Sequence, residues 1–310
     1  MSIRCLVVDK MHESLVPMLE KNGVEVSYEP SITREKIKNI IARYNGLIIR
    51  SKTFVDKDLL SNASHLKFVA RAGSGIDNLD VKYLNSKSIS ILNAPEGNRD
   101  AVGEHTIGLI LNLLHNIDQG NRQVIKGIWD REGNRGSELG NKTIGIIGYG
   151  NMGATVAKKL NSFGCKIIAY DKYKPNCKSE YAQAVTLQKL KEEADIVSLH
   201  VPLTKETTGM TNGDFFKEFK KNIIFINTSR GETAPFASIV EAMQTGKIIK
   251  AGLDVLENEK INNLTTKQQK GFDYLNKSNR VIFTPHVAGW STESYVRINK
   301  VLVKKIKSLI

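Results

Sequence analysis

Cysteine is scarce in this chain: Cys5, Cys165 and Cys177 are the only three among 310 residues, and no two are close in sequence. A set that small and odd excludes a disulfide framework and the paired ligand spacing of a zinc site, so no metal is expected. Cys5 and Cys165 flank apolar runs and are expected to be buried thiols. Long apolar stretches are missing too. The best, Ile107 to Leu114, is interrupted by Asn112 and falls far short of the ~18 residues that span a bilayer. The opening residues, MSIRCLVVD, stop at Asp9 and carry neither the apolar segment nor the cleavage site of a secretory signal. A reducing, cytoplasmic setting with no membrane partner is expected.

Acidic residues are outnumbered, 32 Asp and Glu against 45 Lys and Arg, for a formal charge of +13. No basic run concentrates that charge, since Lys220-Lys221 and Lys304-Lys305 are only doublets. A nucleic-acid partner is therefore not expected, and the surface suits a small anion instead. The length suffices for two domains of ordinary size.

Short β-rich runs alternate with helical ones, the pattern of an α/β protein with parallel sheets. A first set of strands is expected at Ile3–Asp9, Val24–Glu29, Gly46–Arg50, Lys67–Arg71 and Ile89–Asn93. Helices are expected between them at Glu13–Asn22, closed by Gly23, and at Thr33–Tyr44, capped by Thr33. A second set is expected at Lys142–Ile147, Lys166–Tyr170, Asp195–Leu199, Ile223–Asn227, Lys250–Leu253 and Val281–Phe283. Between the sets lies a long helical stretch from Ala101 to about Ile117, with a crossover between domains near Pro95–Arg99. Asn262 to Lys277 is polar and irregular and reads as a long loop or short helix. An amphipathic helix closes the chain and is expected to pack on the first domain.

Gly148-Tyr149-Gly150-Asn151-Met152-Gly153 is a G-x-G-x-x-G segment. Alone it would be a weak signal. Here an apolar strand precedes it, a helix from Ala154 to Phe163 follows, and Asp171 lies 18 residues beyond Gly153, near the ~20 expected. Gly148 permits the tight turn, Gly150 lets a pyrophosphate approach backbone N–H groups, and Gly153 lets helix and strand pack closely. The helix N-terminus favours an anion. Asp171 can accept ribose hydroxyls and repels a 2′-phosphate, which favours NAD over NADP; Lys172 weakens that preference.

Three polar clusters follow strands in the second half, where open α/β sheets bind ligands. Asn227-Thr228-Ser229-Arg230-Gly231 offers the planar donor fork of Arg230 for a carboxylate or polarised carbonyl. The stretch from Gly252 to Glu259 holds Asp254, Glu257 and Glu259. Thr284-Pro285-His286-Val287-Ala288-Gly289 holds His286, the side chain type suited to acid/base work near neutrality. An arginine, an acid and a histidine beside a nicotinamide cofactor suit hydride transfer at a hydroxyl carbon.

The sequence resembles the D-isomer-specific 2-hydroxyacid dehydrogenases along essentially its whole length. The matching segments are RAGSGIDNLD (71–80), NAPEGNRDAVGEHTIGLIL (93–111), GNKTIGIIGYGNMG (140–153), SLHVPLTKET (198–207), INTSRGE (226–232), AGLDVLENE (251–259) and TPHVAGW (284–290). The resemblance implies a Rossmann NAD-binding domain (99–284) inserted in a flavodoxin-like substrate domain (1–98 and 285–310), both doubly wound parallel sheets, with the active site in the cleft between them. It implies Arg230, Glu259 and His286 as catalytic residues, with Glu259 preferred to Glu257. Coenzyme contacts would come from Gly148, Gly150, Asn151, Met152, Gly153 and Asp171, from His200, Val201, Pro202 and Thr207, from Thr228, Ser229 and Asp254, and from His286 and Gly289. Substrate contacts would come from Ser74, Gly75, Arg230 and His286, and a homodimer would form around the nucleotide domains through the helix from about Ala101.

Within the family, RAGSGIDN, APEGN and Arg50-Ser51 resemble the branch that oxidises 3-phosphoglycerate on the way to serine, in a short form without a regulatory domain. Arg50, with Ser51, would hold the phosphate; Arg131 and Arg135 are further phosphate candidates. Glyoxylate or hydroxypyruvate reduction is the enzymatic alternative, and an NAD(H)-sensing, corepressor-like binding protein is the alternative of another class. Lys260 stands where the family usually has proline, the loop to about Asn279 is longer than usual, and ETAPFAS follows Arg230 in place of the common Val-Val-Asp. Trp290 is bulky where a small residue is common. These departures bear on the substrate and leave the catalytic set intact.

Overall fold

Runs of β-branched and aliphatic residues build two separate parallel sheets. In the first, β1 (Ile3–Val7), β2 (Val24–Tyr28), β3 (Gly46–Ile49), β4 (Phe68–Arg71) and β5 (Ser90–Asn93) lie in the order β2-β1-β3-β4-β5. Every pairing is parallel. All four residues of β3 are buried, as expected of a strand covered by helices on both faces. In the second sheet, β6 (Thr143–Ile147), β7 (Lys166–Tyr170), β8 (Gln183–Ala184), β9 (Ile196–Leu199), β10 (Ile223–Asn227), β11 (Ile248–Leu253) and β12 (Val281–Phe283) lie in the order β12-β11-β10-β9-β6-β7-β8. These too pair in parallel throughout. The first order is flavodoxin-like; the second is a Rossmann order with one added strand.

The chain divides into two compact units, residues 1–99 with 290–310, and residues 100–289. The return therefore falls at Trp290 rather than at 285, and His286 goes with the second unit. This computed structural model describes residues 3–175 and 179–310, so Cys177 lies outside the described residues. In the first unit the closing helix Thr292–Leu309 turns Ile298, Leu302, Val303 and Ile306 onto Cys5, Ile48 and Phe68. The i, i+4 spacing of Ile298, Leu302 and Ile306 puts them on one face. In the second unit Phe216, Phe219, Phe225 and Phe236 anchor one side of the sheet and Ile110, Leu113, Val156 and Leu160 the other.

The crossover between the units, at Arg99, lies within a helix, because the long helix runs from Pro95 to His115 rather than starting near Ala101; proline is favoured at a first helical position, where its missing N–H has no partner to lose. The helix stops because Asn116 adopts a left-handed backbone (φ 54°), after which a second helix spans Ile117–Ile125. The polar stretch expected as a long loop or short helix contains a 12-residue helix, Thr266–Lys277, started by a capping box between Thr265 and Gln268 and docked by buried Gly271 and Leu275. The two-residue strand β8 was too short to register as a pattern. Cys5 is fully buried, which pushes its thiol up to about 12; Cys165 is partly buried and also raised by burial. Among the described residues no helix is long and apolar enough to cross a membrane.

Candidate active site

Strand order reverses between β6 and β9, and the glycine segment sits at that point, directly after β6. Ligands bind in such crevices. Gly148 has φ 92°, and a Cβ there would lie 2.6 Å from the His200 carbonyl oxygen. A Cβ on Gly153 would lie 2.1 Å from the Gly148 carbonyl oxygen, whereas one on Gly150 would meet nothing within 4 Å. The outer glycines are thus required by packing, and the middle one leaves open space. The helix Asn151–Leu160 that follows has no side-chain cap and no acid in its first turn. Its first N–H groups are left for an anion, as a coenzyme pyrophosphate requires.

Asp171 directly follows β7 and fastens the neighbouring loops. Its Oδ2 accepts from the Tyr149 N–H at 2.8 Å, and Oδ1 accepts from the Tyr173 and Lys174 N–H groups at 2.9 and 3.0 Å. Lys172 is not free for a phosphate: its ammonium lies 2.9 Å from Glu206, which raises its pKa. Opposite, the loop after β9 is stapled by Thr207, whose hydroxyl donates to the Pro202 carbonyl at 2.6 Å and accepts from the Thr204 N–H at 2.8 Å. Val201 borders the same turn and packs against the cluster of Phe216, Phe219, Phe225 and Phe236. Burial pushes His200 down to about 4, so its ring is neutral at pH 7; Nε2 lies 2.9 Å from Ser198 Oγ.

Strands β10, β11 and β12 are neighbours, so the three polar clusters emerge side by side. After β10, Asn227 Oδ1 accepts from the Ser229 N–H and hydroxyl at 3.0 and 2.7 Å, and Arg230 Nη1 donates to the Ser229 carbonyl at 2.7 Å. Thr228 Oγ1 lies 3.1 Å from Thr106 Oγ1. After β11, Asp254 is almost fully buried and organises the loop after β12. Its Oδ1 accepts from the Thr284 hydroxyl (2.6 Å) and the Val287 N–H (2.9 Å), and its Oδ2 from the Ala288 N–H (2.9 Å). The His286 N–H in turn donates to the Asp254 carbonyl at 2.8 Å.

Between those bonds His286 is held at φ 54°, a left-handed backbone that costs a non-glycine residue energy and persists only where its surroundings enforce it. The strained turn aims the ring at Glu259, with Nδ1 2.7 Å from Oε1. Glu257 points elsewhere, its Oε2 accepting from the Phe236 N–H at 2.8 Å. Geometry thus separates two acids that sequence could rank only by motif. Beside the pair lies a cavity of about 440 Å³ bordered by Asp254, Glu259 and His286 at the polar end and by Leu256, Phe272 and Phe283 at the other.

In the first unit the strand order reverses between β1 and β3, and Arg50 follows β3 directly. Asp9, just beyond β1, accepts from the Arg50 N–H at 2.6 Å and from the Thr53 hydroxyl at 2.6 Å. The guanidinium carbon lies 3.7 Å from the Trp290 ring centre and 4.4 Å from that of Tyr295. Ser51 is exposed beside it. Ser74 and Gly75 follow β4, the strand next to β3, and the Ser74 carbonyl accepts from Asn93 Nδ2 at 2.6 Å. Arg135 instead pairs with Glu132 at 2.7 Å on an exposed surface, and Arg131 is exposed as well. Asp9 and Thr284 were named in sequence without a role in the site, and Tyr295 was not named, although each lies beside a residue that was singled out.

Residues 107–288 match the family model described as the NAD binding domain of D-isomer specific 2-hydroxyacid dehydrogenase. The chain belongs to that family. A D-3-phosphoglycerate dehydrogenase of Archaeoglobus fulgidus is 32% identical over 99% of this chain, which spans 57% of that protein's length. A hydroxypyruvate reductase of Thermotoga maritima is 35% identical over 93% of this chain and 92% of its own. Among solved structures, a D-lactate dehydrogenase from Aquifex aeolicus, complexed with NAD and lactic acid, superposes with a TM-score of 0.81 at 27% identity, covering 98% of this chain and 94% of that one. In this member of the family the matched segment lies within the Rossmann unit, and the glycine cradle described above fits the NAD that such a domain binds.

Proposed function

We propose that the protein is an NAD-dependent dehydrogenase acting at C2 of a small D-2-hydroxy acid, with 3-phosphoglycerate as substrate and 3-phosphohydroxypyruvate as product. The observation that carries the reaction is the His286–Glu259 pair on its strained turn. Nδ1 faces Glu259, which leaves Nε2 as the ring atom for the substrate hydroxyl. Nε2 takes the hydroxyl proton as hydride leaves C2, and Glu259 stabilises the imidazolium that results. Arg230 holds the substrate carboxylate and polarises the C2 oxygen. Bound NAD supplies the hydride acceptor. Gly148, Gly150, Asn151, Met152 and Gly153 hold its pyrophosphate, Asp171 its ribose, and Thr228, Ser229, Asp254 and Gly289 the nicotinamide end.

The substrate reading is supported by Arg50. No side-chain hydrogen bond or ion pair engages its guanidinium among the described residues; two aromatic rings flank it, and burial lowers its pKa. A desolvated cation with its donor fork unused suits a phosphate. Ser51, Ser74 and Gly75 are the remaining substrate contacts. Hydroxypyruvate reduction is the second reading, favoured by the Thermotoga relative, which matches this chain over nearly its full length. NADH consumption with 3-phosphohydroxypyruvate, hydroxypyruvate and glyoxylate separates the two. A preference for the phosphorylated acid of about 10²-fold, abolished in Arg50→Leu, is expected. Equal or better turnover of hydroxypyruvate contradicts the phosphate assignment and leaves the reaction class standing.

The same reading includes a homodimer through the NAD-binding unit. Ile117, Val124, Ile125, Ile128 and Trp129 are all exposed on and just after one short helix, Trp129 by 79%. A patch of that kind is costly in water and marks an interface.

A further inference from the structure

His105 lies on the long helix, within the segment 93–111 but with no role assigned above, yet its Nε2 is 2.9 Å from Thr284 Oγ1 and 3.5 Å from Asp254 Oδ1. The direction of each bond follows from the inventory of protons. A carboxylate oxygen only accepts, so at 2.6 Å the Thr284 hydroxyl donates its single proton to Asp254. The same hydroxyl must then accept from His105, which fixes the proton on Nε2. A chain runs from the His105 N–H through Thr284 to Asp254, whose two oxygens also receive the Val287 and Ala288 N–H groups. Those two N–H groups belong to the residues directly after His286, the one with left-handed backbone.

The next helical residue is fixed as well. Thr106 Oγ1 donates to the Val102 carbonyl at 2.7 Å, so it accepts from Thr228 beside Arg230. One turn of the long helix therefore contacts the loops that carry both His286 and Arg230.

We propose that His105 is a positioning residue for the reaction: acting through Thr284 and Asp254, it holds the turn that aims His286. It touches neither substrate nor coenzyme in this role, and the role rests on the reading of His286 as the acid/base. Without the His105 donor, Thr284 is free to rotate away, the shell of Asp254 loosens, and the strained turn relaxes toward an ordinary backbone. Misaiming a proton-transfer group by a fraction of an ångström slows chemistry more than it weakens binding.

The test uses the full chain, with kcat and KM from NADH absorbance and NADH affinity from nicotinamide fluorescence. His105→Leu is expected to lower kcat about tenfold or more, with KM and NADH affinity held to within about twofold. His105→Gln, whose amide nitrogen still donates toward Thr284, should recover most of that loss. Thr284→Val breaks the same chain without changing volume, and adding it to His105→Leu should cost little more, because the two act as one unit. Wild-type kcat in His105→Leu, a His105→Gln enzyme as slow as His105→Leu, or additive losses overturns the proposal. Should His105→Leu fail to fold, wild-type kcat in Thr284→Val overturns it equally. His286→Ala is measured alongside: if it stays active, the acid/base reading fails and the positioning role with it. If it is inactive while His105→Leu is not, only the positioning role fails.

Discussion

The guanidinium carbon of Arg50 lies 3.7 Å from the ring centre of Trp290, closer than its contact with Tyr295. The bulk of Trp290 thereby has a use: it holds flat a long side chain that would otherwise sample many rotamers. A cation–π contact of this kind contributes about 0.5–2 kcal/mol. Trp290→Ala is expected to raise KM for 3-phosphohydroxypyruvate about tenfold, with kcat and the KM for glyoxylate little changed. Equal rises for both acids would show that Trp290 shapes the site in general and does not serve Arg50.

We propose that Asp171 and the Lys172–Glu206 pair govern the choice of coenzyme. The carboxylate repels a 2′-phosphate, and the nearest ammonium is already occupied by Glu206. Asp171→Ala should shift the NADH-to-NADPH ratio of kcat/KM toward NADPH by about tenfold or more. A constant ratio would remove Asp171 from the ribose. Because Asp171 also receives three backbone N–H groups, the same variant should unfold at a lower temperature.

His200 makes stability depend on pH. Burial lowers its pKa from 6.5 to about 4 in the folded chain. Between those values the unfolded chain binds a proton that the folded chain does not. Stability contributed above pH 6.5 is therefore lost as pH falls toward 4, a total on the order of 3 kcal/mol. Urea unfolding at pH 7 and pH 5 should show wild type losing more stability than His200→Gln. Equal losses in the two proteins would mean that His200 titrates normally.

The exposed Trp129 and Ile125 give the proposed dimer a direct test. Trp129→Glu places a charge in a desolvated interface, and sedimentation should then show a monomer where wild type shows a dimer. A variant that sediments like wild type would locate any interface elsewhere.

Much of this was legible in sequence because the relevant signals are local. Both sheets, the phosphate loop and the clusters at the ends of β10, β11 and β12 follow from apolar runs bounded by polar turns, and Gly148 through Gly153 can be read without coordinates. Less legible was whatever depends on long-range packing. Nothing in the sequence brings Tyr295 to Arg50 or His105 to Thr284, and His286 carries no mark of its left-handed backbone, since it is neither Gly nor Asn. The stretch of helix Thr266–Lys277 could be read only as a long loop or short helix for a different reason. It buries only Gly271 and Leu275, so its apolar period is faint, although the Thr265–Gln268 capping box was a local signal of its start.

The most direct test of the account is the His286→Ala variant, with turnover and NADH affinity measured on the same preparation. General acid/base catalysis predicts that kcat falls by about 10²–10⁴ while NADH binds as tightly as before. Turnover near the wild-type rate, or a loss of NADH affinity as large as the loss of turnover, would contradict the assignment of His286 as the proton-transfer group.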